Sequence, residues 1–247
     1  MKVIAIIPAR YASSRFPGKP LIDIGGKSMI QRVVEQAKQA EEIEEVIVAT
    51  DDKRIYDHVL SIGGHAVMTS PDHVSGTDRC LEAYDKSGTS ADVVLNIQGD
   101  EPFVDPTQLK ALIKCIGGNG VEIATLAKKI EHEETLFDPN KVKVVCGQNG
   151  RAIYFSRHPI PFQKSIPQKL WLDKFDYYKH LGLYAYRVDV LREICAMNPS
   201  PLELAESLEQ LRWLENGKNI SVAFTEIETP AIDTPDDLQF VLNKMGM

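Results

Sequence analysis

The feature that most narrows what this chain can fold into is a series of short apolar runs separated by stretches of helical period. Val3 to Ile7, Glu45 to Thr50 and Asp92 to Gln98 carry few polar residues, the pattern of strands buried on both faces of a parallel sheet. Between the first two, Met29 to Ala40 sets Met29, Ile30, Val33, Val34 and Ala37 on one helical face. Asp51-Asp52 starts a second helix that runs to about Ile62, Gly63-Gly64 stops it, and Ala66-Val67-Met68 is extended again. Gly76 to Lys86 forms a further helix, and Asp105-Pro106 opens another with proline in its first turn. Strands alternating with helices across short connections predict an α/β fold with a doubly wound, mostly parallel sheet and right-handed crossovers.

The pattern changes after Gly120. Val121 to Ile130, Val142 to Cys146 and Ala152 to Ser156 are extended runs with no long helical period between them, which predicts an antiparallel insertion, bounded here as 121–190, within a single domain of residues 1–247. His158 to Phe175 is rich in proline and polar residues and reads as a mobile loop. Leu181 to Tyr186 returns as a strand, Ser200-Pro201-Leu202-Glu203 matches a capping box, and Ile220 to Ile227 is a late strand. Thr234-Pro235-Asp236-Asp237 opens a closing helix by the same logic.

With 43% hydrophobic and 26% charged residues over 247, the composition is that of an ordinary globular protein. A formal net charge of -7 argues against a general nucleic-acid binder, which needs a positive field. Cys80, Cys115, Cys146 and Cys195 lack C-x-x-C spacing, so zinc and thioredoxin-like readings fall away and buried free thiols are expected. The start shows no secretory leader pattern and no apolar run approaches about 18 residues, so the expected location is the cytoplasm, without membrane insertion.

Against that acidic background, the stretch from Pro8 to Pro20 concentrates Arg10, Arg15 and Lys19 directly after a buried strand. Two guanidinium forks, an ammonium and the backbone N–H groups of small residues suit a triphosphate; the alternative is a solvated basic loop. Ligands of such sheets sit beyond the carboxyl ends of the strands, where the Gln98-Gly99-Asp100 turn also falls. Asp100 is positioned either as a Mg²⁺ ligand or as a turn former. Thr234 and Pro235 cap the last helix, which leaves Asp233 free to be a second oxygen ligand or an ordinary loop acid. Alternation along His180-Leu181-Gly182-Leu183-Tyr184 puts His180, Gly182 and Tyr184 on one face, as a site wall or as a half-buried polar face.

Two look-alikes are set aside. Gly25-Gly26-Lys27-Ser28 lacks the earlier glycine of a Walker A loop and reads as a turn before a helix. Gly63-Gly64 lacks G-x-G-x-x-G spacing, which disfavours a dinucleotide site. None of the histidines lies in an H-E-x-x-H pattern.

Ile7 to Leu21 closely resembles the opening of the 3-deoxy-manno-octulosonate (Kdo) cytidylyltransferases, the CMP-Kdo synthetases. Val48-Ala49-Thr50-Asp51, Asp72 to Arg79, Asn96 to Pro102, Tyr154-Phe155-Ser156-Arg157, His180 to Tyr184, Leu208 to Leu211 and Asp233-Thr234-Pro235 match in the same order, so the resemblance spans nearly the whole chain. The opening loop alone is shared by many sugar nucleotidyltransferases; the later segments narrow the likeness to this family rather than its sialic-acid relatives. The chain departs from the pattern over His158 to Lys179 and carries Asp78 where the family has Glu.

The resemblance implies a Rossmann-like nucleotidyltransferase fold that pairs into homodimers, with the 121–190 insertion as the dimerisation region. It implies the reaction of CTP with Kdo to give CMP-Kdo and pyrophosphate, for lipopolysaccharide biosynthesis, with Mg²⁺ as cofactor. By the same likeness Arg10, Lys19, Asp100 and Asp233 are catalytic, Asp100 and Asp233 hold metal, and Ala9, Arg10, Arg15, Lys19, Ser75, Gly76, Arg79 and Gln98 bind nucleotide. Gln98, Arg157, His180, Tyr184, Glu209 and Gln210 bind the sugar, Arg157 being the candidate clamp for its carboxylate. Alternatives are a cytidylyltransferase for 8-amino Kdo or sialic acid, a metal-dependent glycosyltransferase, and an inactive nucleotide-sensing module.

Overall fold

In a computed structural model the first buried run forms strand β1 (Val3–Ala9), followed by helix α1 (Met29–Ala37), β2 (Glu45–Thr50), α2 (Lys53–Ser61), β3 (His65–Met68), α3 (Gly76–Ser87), β4 (Val93–Asn96) and α4 (Pro106–Ile116). Next come β5 (Ile123–Lys129), α5 (Glu133–Phe137), β6 (Lys143–Cys146), β7 (Ala152–Ser156), α6 (Trp171–Lys174) and β8 (Tyr178–Arg187). The chain closes with α7 (Val188–Cys195), α8 (Pro201–Glu206), α9 (Gln210–Glu215), β9 (Ile220–Phe224) and α10 (Pro235–Met245). The structure describes residues 1–12, 16–230, 232 and 234–245, without the side chains of 244 and 245. Two compact units emerge, one of residues 1–110 and 229–247 and one of residues 111–228.

In the first unit the strands run in the order β3-β2-β1-β4, all parallel, with Ile6 of β1 beside Ile47 of β2 and Asn96 of β4. Val3 to Ile7 are all at most 1% exposed, as expected of strands covered on both faces. Each helix start follows from a capping side chain. Ser28 accepts from the Gln31 amide, Asp52 from Arg54 and Ser75 from Asp78. The Gly25-Gly26 stretch is the turn before α1, both glycines having positive φ. α10 starts on a reciprocal cap: the Asp237 amide donates to Thr234 Oγ1 and the Thr234 amide to Asp237 Oδ2. Its Val241 packs with Ile24, Met29 and Ile232 in a small core beside the opening loop.

In the second unit β5 is flanked by β9, parallel, and β8, antiparallel, while β6 pairs antiparallel with both β7 and β8. The expected antiparallel insertion is present, and the capping box at Ser200 and Glu203 forms as written in the sequence. The segment expected to be a mobile loop has a core of its own instead. Trp171 is 1% exposed, stacks on Tyr177 with centroids 6.1 Å apart, and donates from Nε1 to the Ile166 carbonyl. Tyr177 donates to the Pro161 carbonyl, and Gln163 donates to both the Trp171 carbonyl and the Tyr177 hydroxyl. Proline and polar content masked two aromatic anchors, each able to bury a large area. Among the cysteines, all free, Cys80 is buried and the other three are half-buried.

Replacing Trp171 removes the centre of this small core. Trp171→Ala is expected to cost about 3–5 kcal/mol in urea unfolding and to open Lys164, Lys169 and Lys174 to trypsin in folded protein. A cleavage pattern and midpoint equal to the parent's would contradict the packing role.

Candidate active site

Parallel strands deliver their carboxyl ends to one edge, and in the first unit that edge carries most of the expected nucleotide residues. β1 ends with Ala9 buried and Arg10 exposed. Gly99, after β4, approaches β1 so closely that a Cβ there would lie 2.7 Å from the Pro8 carbonyl oxygen, so only glycine fits. Gly76, first residue of α3, lies against the Pro8 ring. Three of the expected segments therefore converge on Pro8.

The opening loop closes on itself. The Gly18 amide donates to the Tyr11 carbonyl at 2.9 Å, and Gly18 adopts φ of 73°, which favours glycine. The Arg54 guanidinium covers the outer face of the Tyr11 ring at 3.3 Å from its centroid. Past Gly18, Lys19 starts a single 3₁₀ turn and places its Nζ 2.8 Å from Asp100 Oδ2. The side chains are 13% and 31% exposed, so the ion pair is partly shielded from water yet reachable by a ligand.

Ser75 caps α3, its Oγ accepting from the Asp78 amide and donating to the Asp78 carboxylate. The Asp78 that departs from the family pattern thus completes this cap. Arg79 is 1% exposed and donates to Thr69 Oγ1 at 2.6 Å and Asp51 Oδ2 at 3.1 Å, tying together the turns that follow β2 and β3. Gln98 is half-buried in the turn before Asp100. Arg15 and Asp233 lie outside the described residues. Asp100 is a hard oxygen donor at the sheet edge and suits Mg²⁺ as one carboxylate among phosphate and water ligands. Among the described residues no group of three or more His, Cys, Asp or Glu could hold a metal, a set that leaves out Asp233.

Of the expected sugar residues, Gln98 lies in the first unit, while Arg157, His180, Tyr184, Glu209 and Gln210 fall in the second. His180 and Tyr184 of β8 meet with ring centroids 5.3 Å apart, and Phe155 of β7 meets His180 edge-on at 5.0 Å. Trp213 of α9 lies edge-on to Tyr184 at 5.3 Å. This apolar surround strips the imidazole of solvation and holds His180 at a pKa of about 3, so the ring is neutral. Burial pushes the Tyr184 phenol well above its usual range, and the Glu209 carboxylate adds to the rise. Among the described residues the Tyr184 hydroxyl meets no partner in sound hydrogen-bond geometry. Glu209 precedes α9 and Gln210 opens it, the latter 6% exposed.

Arg157 is anchored to main chain. Its guanidinium donates to the carbonyls of Glu206, Pro139 and Ser207, and its amide to the Glu206 carboxylate. Lys143, fully buried, donates from Nζ to the carbonyls of Asp138 and Arg157, and desolvation lowers its pKa. Sequence pattern assigns no site role to Thr125, Lys143, Phe155 or Trp213. Thr125 and Lys143 each interrupt an apolar run, and an interruption inside a buried strand is the one signal that marks them.

Residues 4–220 match the cytidylyltransferase family, which defines the class. A 3-deoxy-manno-octulosonate cytidylyltransferase of Cytophaga hutchinsonii is 56% identical over 239 residues, 96% of this chain and 95% of that protein. A solved structure of CMP:2-keto-3-deoxy-manno-octonic acid synthetase complexed with CTP is 44% identical with a TM-score of 0.92, covering 100% of this chain and 99% of that one. The chain belongs to the 3-deoxy-manno-octulosonate cytidylyltransferase family. Likeness to the 4-diphosphocytidyl-2C-methyl-D-erythritol synthase of Anaerococcus prevotii, with a TM-score of 0.62 at 15% identity over 100% of this chain and 99% of that one, is of fold alone.

The His180 environment has a pH consequence. Folded, the ring stays neutral down to about pH 3; unfolded, it takes up a proton near its ordinary 6.5. Unfolding therefore binds a proton between those values, and stability falls as pH drops through that window. His180→Gln is expected to flatten the slope of unfolding free energy there by up to about 1.4 kcal/mol per pH unit. An unchanged slope would contradict the neutral, desolvated ring.

Proposed function

We propose that this protein transfers the cytidylyl group of CTP to Kdo, releasing pyrophosphate, and that its product CMP-Kdo serves lipopolysaccharide biosynthesis. The observation that carries the reading is the contact of Lys19 with Asp100 at the edge where Arg10 also emerges. A cationic loop and a carboxylate in contact suit a ligand that carries phosphate oxygens and a hard metal ion together.

In this reading the anomeric oxygen of Kdo forms the new bond to the α-phosphorus. The bond from that phosphorus to the bridging oxygen breaks, the electron pair leaves with pyrophosphate, and the hydroxyl proton passes to solvent. Arg10, Arg15 and Lys19 balance charge on the leaving group, while Ala9, Ser75, Gly76, Arg79 and Gln98 border the nucleotide. Asp100 and Asp233 would hold Mg²⁺, which would supply positive charge beside the phosphate oxygens and lower the cost of deprotonating the sugar hydroxyl. His180, Tyr184, Glu209 and Gln210 orient the sugar, and Arg157, with donors left beyond its three carbonyl bonds, meets its carboxylate. Holding the reactants in line can supply up to roughly 7–11 kcal/mol of the barrier. The protein works in the cytoplasm as a homodimer paired through residues 121–190.

Pyrophosphate release, measured with each of the four nucleoside triphosphates with and without Kdo, tests the reading. Turnover is expected only with CTP and Kdo together, to stop on chelation and return with Mg²⁺, and to fall at least about a hundredfold in Arg10→Ala. Release from CTP alone at the same rate, or equal use of sialic acid, would overturn it.

A further inference from the structure

The pairing of β5 with β8 slips at one place. Thr125 stands opposite Tyr184 but its neighbour Leu126 stands opposite Leu181, so β8 advances three residues against one on β5. This bulge interrupts the ladder between His180 and Tyr184 yet leaves both rings on one face, as the alternation predicts, with centroids 5.3 Å apart. The Thr125 side chain, fully buried, fills the gap. Its Oγ1 lies 2.8 Å from the Leu183 carbonyl oxygen, 3.2 Å from that of Leu181 and 3.0 Å from His180 Nε2.

A hydroxyl has a single hydrogen, whereas carbonyl oxygens can only accept. The shortest contact assigns that hydrogen to the Leu183 carbonyl, which leaves Oγ1 lone pairs facing the imidazole. Nε2 must then be the donor. If Oγ1 donated to Nε2 instead, it would stand 2.8 Å from a carbonyl oxygen with no proton between them.

We propose that Thr125 is a positioning residue that fixes His180 as the Nε2–H tautomer, so that Nδ1 carries the lone pair and accepts a hydrogen bond from a hydroxyl of the acidic sugar. This rests on the reading of His180 as a sugar contact. It explains why a threonine interrupts the apolar β5: main chain spends the only hydrogen, and the imidazole inherits a fixed direction.

Long-range ¹H–¹⁵N correlation of the histidine rings in the intact enzyme at neutral pH reads the tautomer, with His180 assigned by its loss in His180→Gln. The expected spectrum has a protonated Nε2 and a bare Nδ1. Thr125→Val, which keeps the shape, should give mixed tautomers and raise the KM for Kdo about tenfold, with the KM for CTP unmoved; Thr125→Ser should recover the single tautomer and most of the sugar affinity. A parent enzyme protonated on Nδ1 overturns the inference alone, and so does a Thr125→Val enzyme with unmoved tautomer and Kdo KM. If valine prevents folding, the parent spectrum and the serine variant decide. A normal Kdo response in His180→Gln overturns the sugar-contact reading beneath it.

Discussion

The ion pair of Lys19 with Asp100 is the interaction on which the account of the first unit turns. It links the opening loop to the turn after β4, two segments far apart in sequence that reach one another because β1 and β4 are adjacent parallel strands ending at the same edge. Partly exposed pairs of this kind are worth about 0–1 kcal/mol. That modest value matters: a triphosphate making charge-assisted hydrogen bonds of about 1.5–3 kcal/mol each can readily take Lys19 from Asp100. In the proposed reading the pair keeps both groups ordered and charge-balanced until a ligand of mixed charge replaces each partner.

Under the proposed reading the second unit meets a different demand by different means. A sugar acid offers many hydroxyls, and reading them requires donors and acceptors of fixed sense. Burial by Phe155 and Tyr184 keeps His180 neutral, so it presents one donor and one acceptor rather than two donors. Nearby, Arg157 and Lys143 use main-chain carbonyls to tie Asp138, Pro139, Glu206 and Ser207 together. Charge on these two side chains organises backbone turns.

Strands β1, β2 and β4 were legible because covering both faces leaves an uninterrupted apolar run, and the caps at Asp52, Ser200 and Thr234 were legible because capping is local chemistry. The bulge in β8 was not, since it depends on which residue of β5 stands opposite. Helices α5, α7 and α9 are too short for a clear period, and the core around Trp171 hid behind a polar, proline-rich composition. For the site, motif likeness picked out Lys19, Asp100, His180 and Tyr184, but the partners that hold Arg79 and Arg157 came only with the fold. A threonine or lysine within a buried strand records a tertiary hydrogen bond whose acceptor the sequence does not name.

Calorimetric titration of CTP into the parent, Lys19→Met and Asp100→Asn enzymes, with and without Mg²⁺, addresses the central claim most directly. The account predicts that Lys19→Met weakens binding about tenfold or more, whereas Asp100→Asn, with Lys19 released, binds metal-free CTP at least as well as the parent and loses the gain that Mg²⁺ brings. An Asp100→Asn enzyme whose affinity still rises with Mg²⁺ as the parent's does would contradict it.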